Sequence, residues 1–353
     1  MLPGSGFSRV LRAVLGRLAG VWDVHLLGIG YGGPECDFGG VVLHPTNLHG
    51  GDVFAAFAAA ELAEALDARV VLLLHDFWML HPHARALAGT RATVVAYVPV
   101  DGRIVDGRYL EPLRRVDRFV AYTEFGRREL EQFVDVPVDV IPHGVDTDVF
   151  RPLGSRRDGF VVLNANRPNE RKRIDLTLEG FALFARGKPP DARLRLHHAL
   201  DDSEHGGLVE QLGIADRVEI TTGAVSDEEL NLVYNSCAVG LNTAMGEGWG
   251  LVSFEHAATG AAQVVPDSSA CAELWPGAAE VVAAEDTGVP GWSPLAMRTV
   301  SAEGVAEALE RLYADPAHLL AMSEAARRNA MQPRYSWDAI GEQWLALLEE
   351  VAP

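Results

Sequence analysis

VVLLL at 70–74, TVVAYV at 93–98, RFVAYT at 118–123 and VDVIP at 138–142 are apolar runs of strand length, separated by helix-like stretches such as 52–66 and 124–133. Runs that are apolar throughout suit parallel strands covered on both faces by crossover helices. The rhythm restarts at FVVLNAN (160–166), followed by helical IDLTLEGFALFA and then by RLRLHH, RVEIT, AVGLNT and AQVVP, each trailed by a helical pattern. Both halves therefore read as parallel α/β. The length of 353 residues agrees, because a single hydrophobic core usually stops growing at roughly 250–300 residues. HGVDTDVFRPLGSRRDG (143–159) has the Gly, Pro, Asp and Arg density of a junction, which sets the domains at 1–150 and 151–334. The amphipathic WDAIGEQWLALLEEV (337–351) needs a surface to dock on, and the closing segment 335–353 is expected to cross back onto the first domain.

Composition narrows the function. At 48% hydrophobic and 22% charged the chain is an ordinary globular one. Its 30 Lys+Arg stand against 49 Asp+Glu, a formal net charge of −19 that repels a nucleic-acid backbone. Cys36, Cys237 and Cys271 are scattered and odd in number, which favours neither a disulfide framework nor a zinc site and fits a reducing compartment. No apolar run reaches about 18 residues and the N-terminus lacks a signal peptide's core, so the cytoplasm is the expected location. Ser226 with Glu229 forms a capping box ahead of one helix, and Ser301 opens another. Gly4-Ser5-Gly6 has only three residues before it, whereas such a turn normally follows a central strand. The expectation is that a first strand lies upstream or that another segment takes its place.

The chemistry concentrates in MGEGWGLVSFEHAATG (245–260), where Glu247 and Glu255 stand eight apart among Gly246, Gly248 and Gly250. Glycines permit close approach to a ligand, and a helix starting near Gly250 directs free N–H groups and a positive dipole end at an anion such as a diphosphate. Glu255, about one turn in, can accept two hydrogen bonds from a vicinal diol such as a ribose, and Glu247 can hold sugar hydroxyls. The lesser alternative, taken on the residues alone, is a Gly-rich turn with one solvated and one capping glutamate.

Glu247, seven intervening residues and Glu255 resemble the paired-glutamate signature of glycosyltransferase family 4. IPHGVDTDVF (141–150) resembles that family's interdomain segment, and NANRPNERKRIDL (164–176) its phosphate-binding loop, with Arg167 and Lys172 five apart. Arg173 stands where the family commonly has glycine, which predicts a local change of backbone path. SDEELNLVYNSCAVGLNTA (226–244) and YSWDAIGEQW (335–344) match in kind. The resemblance implies a GT-B fold, two Rossmann-like domains facing each other across a cleft, with residues 1–150 on the acceptor side and 151–334 binding the nucleotide sugar. It implies retaining, metal-independent transfer of a sugar from a nucleoside-diphosphate sugar to an acceptor hydroxyl, with no further cofactor. Glu247, Arg167, Lys172 and His75 are its catalytic candidates. Glu255, Gly248, Trp249, Gly250 and Leu251 are expected on the nucleotide, and Gly4 and Gly6 in a Gly-rich loop against the donor phosphates. In the loop after AQVVP, Ser268-Ser269 replaces the usual Gly-Gly, and Glu273 is a candidate donor contact.

Fixed Arg and Lys donors suit a leaving diphosphate, whose charge grows in the transition state. As an exposed loop side chain, Lys172 is expected to matter more for turnover than for folding. His75 ends VVLLL at the carboxyl edge where open α/β sheets bind ligands. His81 and His83 follow it without the carboxylate and spacing of a zinc site, and Asp146-Thr147-Asp148, though an Asp-x-Asp, falls inside the interdomain match. Thr123, after RFVAY, is either a helix cap or part of an acceptor surface. The acceptor class stays open among small molecule, glycan and lipid-linked sugar; Arg9, Arg12 and Arg17 are few for a membrane surface against −19. The alternatives are a sugar-nucleotide epimerase and a catalytically silent sugar-nucleotide-binding protein. A nicotinamide dehydrogenase is disfavoured, since GSGFSR lacks the last glycine of the dinucleotide motif.

Overall fold

The apolar runs of both halves form the parallel strands their pattern predicts. The computed structural model describes residues 6–46, 49–154, 159–198 and 205–352, and the chain divides into two compact units. The first holds residues 1–100, 104–144 and 337–353; the second holds Asp101–Arg103 and Val145–Ser336.

In the first unit, α1 (Gly6–Leu18) precedes three short strands, β1 (His25–Leu27), β2 (Cys36–Asp37) and β3 (Val42–His44), which pair in the order β1-β3-β2 as a sheet of their own. After α2 (Ala56–Ala65) come β4 (Val70–Leu74), α3 (His81–Ala86) and β5 (Thr93–Val98). Next in the chain come the two-residue β6 (Arg103–Ile104), whose Arg103 belongs to the second unit, and then, in the first unit, β7 (Arg118–Ala121), α4 (Glu124–Leu130) and β8 (Val138–Val140). Strands β4-β5-β7-β8 form a parallel sheet, Val70 facing Thr93, Val95 facing Arg118 and Phe119 facing Val138. Val94, Val95, Ala96 and Val98 are 0% exposed, so β5 is covered on both faces, as its unbroken apolar run requires. Thr123 caps α4, its Oγ1 accepting from the Gly126 amide at 3.1 Å. Among the described residues no strand precedes α1.

The second unit alternates strictly: β9 (Phe160–Asn164), α5 (Ile174–Ala185), β10 (Ala192–His198), α6 (His205–Gln211), β11 (Val218–Thr222), α7 (Asp227–Ser236), β12 (Val239–Leu241), α8 (Leu251–Ala258), β13 (Ala262–Pro266), α9 (Ser269–Leu274) and β14 (Glu280–Val282). The antiparallel strands β15 (Ala284–Gly288) and β16 (Leu295–Val300) lead to α10 (Ala302–Ala314) and α11 (Pro316–Ala330). The six-stranded sheet runs β11-β10-β9-β12-β13-β14, all parallel. Leu178 and Phe181 of α5, Leu194 of β10, Val239 of β12 and Leu309 of α10 are fully buried in its core, each such side chain contributing about 1.5–3 kcal/mol by burial. The capping box is present: Ser226 Oγ accepts from the Glu229 amide at 3.1 Å while Glu229 Oε2 accepts from the Ser226 amide at 2.8 Å. Ser301 Oγ caps α10 through the Gly304 amide at 3.0 Å.

The last helix, α12 (Trp337–Val351), belongs to the first unit and packs on α1. Arg17 pairs with Asp338 at 2.7 Å, and the Arg17 stem fills space that only a glycine at 341 leaves open. No helix among the described residues is long and apolar enough to cross a membrane.

Candidate active site

The strand order of the second unit reverses between β9 and β12, because β10 and β11 lie to one side of β9 while β13 and β14 lie beyond β12. In open α/β sheets the carboxyl ends beside such a switch point leave a crevice for ligands. The segments that leave those two strand ends are 165–173 and 242–250, the two most chemically loaded segments of the sequence.

They meet through Lys172 and Glu247. Asn169 Oδ1 accepts from the Lys172 amide at 3.2 Å and caps a single 3-10 turn, Glu170–Lys172, that turns the lysine inward. Lys172 Nζ donates to Glu247 Oε1 and, at 3.1 Å, to Asn166 Oδ1. Asn242 Nδ2 donates to the same Glu247 oxygen at 3.0 Å, and Arg171 Nη1 reaches Oε2 at 3.2 Å. Lys172 is thus 9% exposed and ion-paired, which corrects the expectation of an exposed loop lysine. Burial alone would raise the Glu247 carboxyl, but Lys172, Arg171 and the Asn242 hydrogen bond outweigh it and hold the group down at about 2. Burial lowers the Lys172 ammonium, with Glu247 opposing.

Asp101 completes the cluster. Its Oδ2 lies 3.4 Å from Arg171 Nε, and its carboxylate accepts from the Gly248 amide. Burial, partly offset by Arg171, raises this carboxyl. Neither Asp101 nor Arg171 stood out in the sequence.

Two positions where the resemblance expects glycine keep a glycine-like backbone. Arg173 has φ 48° and ψ 51°, and its guanidinium is held by Asp175 at 2.8 Å and by Thr299 Oγ1 at 2.9 Å. Ser269 has φ 43°, and its hydroxyl donates to the Glu247 carbonyl at 3.1 Å while accepting from the Glu247 amide at 2.9 Å.

Gly250, at φ 96°, caps α8 in a left-handed conformation. Its carbonyl takes the amides of Ser253 and Phe254 and leaves those of Leu251 and Val252 without an acceptor among the described residues. Glu255 is buried on this helix and accepts from Tyr234 Oη at 3.0 Å. The Trp249 ring is 3% exposed, stacked on Phe254 at 4.8 Å and edge-on to Tyr335 at 5.2 Å. Its indole belongs to the core, and what Trp249 offers a ligand is its backbone.

Arg167 follows Asn166 in chain and makes no ion pair or side-chain hydrogen bond with any described residue, a half-buried cation left uncommitted. Glu273 lies on α9, half-buried. His75 belongs to the first unit, its ring 5.6 Å from Phe7 and 6.2 Å from Phe54. Burial lowers its pKa, with His83 adding to the effect. His83 Nε2 bonds the Phe54 carbonyl at 2.7 Å, and no metal-ligating group of His, Cys, Asp or Glu exists among the described residues. Gly4 lies outside the described residues, and Gly6 is the first residue of α1.

Comparison with known proteins places the chain. Residues 5–149 match the sequence model of Glycosyltransferase Family 4 and residues 185–346 one described as glycosyl transferase-like. A D-inositol 3-phosphate glycosyltransferase from Nocardiopsis dassonvillei is 28% identical over 62% of this chain and 52% of its own length. The chain spans about half the length of the curated relatives it matches. Among solved structures, a sucrose-phosphate synthase from Thermosynechococcus elongatus superposes with a TM-score of 0.77 at 18% identity, covering 99% of this chain and 94% of that one. Anabaena Alr3699/HepE in complex with UDP superposes with a TM-score of 0.71 at 16% identity over 98% and 96%. The two parallel-sheet α/β units are those of the GT-B fold. Within that class, the chain belongs to the group 1 glycosyltransferases.

Proposed function

We propose that this chain transfers a sugar from a nucleoside-diphosphate sugar to an acceptor hydroxyl, with retention at the anomeric carbon and without a metal. One observation carries the reading: Lys172 converges on Glu247 beside the glycine-capped tip of α8, at the switch point of the sheet. The relative solved with UDP and those named sucrose-phosphate synthase and D-inositol 3-phosphate glycosyltransferase support the substrate class.

Arg167, Lys172 and the Leu251 and Val252 amides receive the diphosphate and stabilise the charge it gains as its bond to the anomeric carbon breaks. Lys172 turns from Glu247 to the phosphates, and the freed Glu247 carboxylate accepts from donor-sugar hydroxyls. Glu255 takes the ribose diol. The acceptor oxygen bonds the anomeric carbon on the face the diphosphate leaves, and a departing phosphate oxygen takes its proton. Fixed cations neutralise the charge that grows on a leaving diphosphate, the task a metal ion performs elsewhere.

Thermal unfolding against a panel of nucleoside diphosphates tests this, since a ligand at about 100 times its Kd adds roughly 2.7 kcal/mol. Sugar release from the matching donor should require an acceptor. Glu255→Ala should abolish the stabilisation by nucleoside diphosphate. No binder in the panel, or donor turnover with no acceptor, overturns the reading.

A further inference from the structure

We propose that Asp101 is a positioning residue of this site: it holds Arg171, and Arg171 holds Glu247, in the orientation the donor sugar requires. This rests on the sugar-nucleotide reading above.

Asp101 comes from the tripeptide Asp101–Arg103, which the first half of the chain contributes to the second unit. Its backbone is wedged against the catalytic loop. A Cβ on Gly246 would lie 1.7 Å from the Asp101 carbonyl oxygen, and one on Gly102 would lie 2.5 Å from the Ala296 carbonyl oxygen. The first glycine of GEGWG is therefore imposed by Asp101 rather than by a ligand.

The side chain has two tasks. It accepts the Gly248 amide, fixing the residue after Glu247, and it pairs with Arg171. Arg171 in turn donates to the Gly246 carbonyl and to Glu247 Oε2. One guanidinium thus ties the Asp101 carboxylate to both the backbone and the side chain of the 246–248 segment.

Charge shows why a second carboxylate is needed. Arg171 and Lys172 are adjacent, and Glu247 touches both. Were Glu247 their sole anion, sharing its carboxylate with donor-sugar hydroxyls would leave the partly buried Arg171 guanidinium under-compensated, which is costly. With Asp101 present, Arg171 keeps a counter-ion throughout, and the exchange of Lys172 from Glu247 to the phosphates becomes cheap. Asp101 needs no contact with substrate for this.

The near-isosteric Asp101→Asn keeps an acceptor for Gly248 and removes the charge. The expected result is an unchanged nucleoside-diphosphate affinity by calorimetry and a kcat lowered by about 100-fold, the scale of a reacting group misplaced by an ångström. Because Asp101 acts through Arg171, Asp101→Asn/Arg171→Gln should lose no more kcat than the worse single variant. Arg171→Lys keeps the charge but not the fork, and it should show the same kcat loss with nucleotide affinity intact, should Asp101→Asn fail to fold. Wild-type kcat per folded molecule in either variant, or additive losses in the double variant, overturns the positioning role while leaving the transferase reading standing. A wild-type protein that binds no nucleoside diphosphate and moves no sugar overturns that reading, and this inference with it.

Discussion

Glu247 in the second unit and His143 in the first are both 4% exposed, yet one is kept charged and the other neutral. Around Glu247 stand two cations and an amide, and the carboxyl is held at about 2. Around His143 stand the rings of Tyr122 at 4.1 Å, Tyr97 at 5.7 Å and Trp337 at 6.4 Å, and burial pushes its pKa down to about 3. A buried ionisable group must either be matched by opposite charge or give its charge up. The first solution keeps an ion pair in the interior; the second leaves a neutral imidazole packed among aromatic rings.

The largest test of this contrast is at Lys172. Lys172→Ala leaves Glu247 a buried anion with Arg171 as its one remaining cation, and the loss should approach the lower end of the roughly 3–5 kcal/mol that breaking a buried pair from one side costs. Turnover should fall by roughly 1,000-fold or more, since a preorganised donor to the leaving group is lost. Lys172→Met/Glu247→Gln removes both charges at similar volume and should recover most of the stability without recovering turnover, as read by urea unfolding and a transfer assay. Recovery of turnover as well would mean that the pair serves folding alone.

Next in size is Gly246. The 1.7 Å clash with the Asp101 carbonyl oxygen forces backbone to move, so Gly246→Ala should cost about 3 kcal/mol, the upper range for overpacking. At Gly250 the nearest atom to a new Cβ is Glu247 Cγ at 4.0 Å, but φ is 96°. Gly250→Ala should cost only the left-handed strain, about 1–2 kcal/mol. Equal losses at the two positions would remove the case for Asp101 as the reason for Gly246.

Much of this was readable from sequence. Unbroken apolar runs mark doubly covered strands, and Ser226 and Ser301 mark helix starts, because both signals are local. The strands at 25–27, 36–37 and 42–44 are too short to show a period. NERKR hides the site's geometry, since four charges in five positions give no hint which one faces inward; the Asn169 cap and the left-handed Arg173 decide that. Asp101 sits in an ordinary turn sequence, and its partners lie 70 and more residues away. Trp249 looks like part of the ligand loop until Phe254 and Tyr335, one of them distant in sequence, close over its ring.

The smallest test concerns the neutral member of the comparison. The folded pKa of His143, about 3, lies below the ordinary 6.5. Between those values the unfolded chain binds a proton that the folded chain refuses, so stability is whole above pH 6.5 and drains away as pH falls toward 3. At pH 5 the loss from this one group is about 2 kcal/mol, at roughly 1.4 kcal/mol per pH unit. His143→Gln cannot titrate and should flatten the pH 5–7 slope of the urea midpoint. The slope that remains belongs to His75, His83 and His197, which burial also lowers. Glu247→Gln should leave that slope untouched, because a carboxyl at about 2 stays ionised throughout this window. If Glu247→Gln changed the slope and His143→Gln did not, the assignment of charged and neutral partners would be reversed.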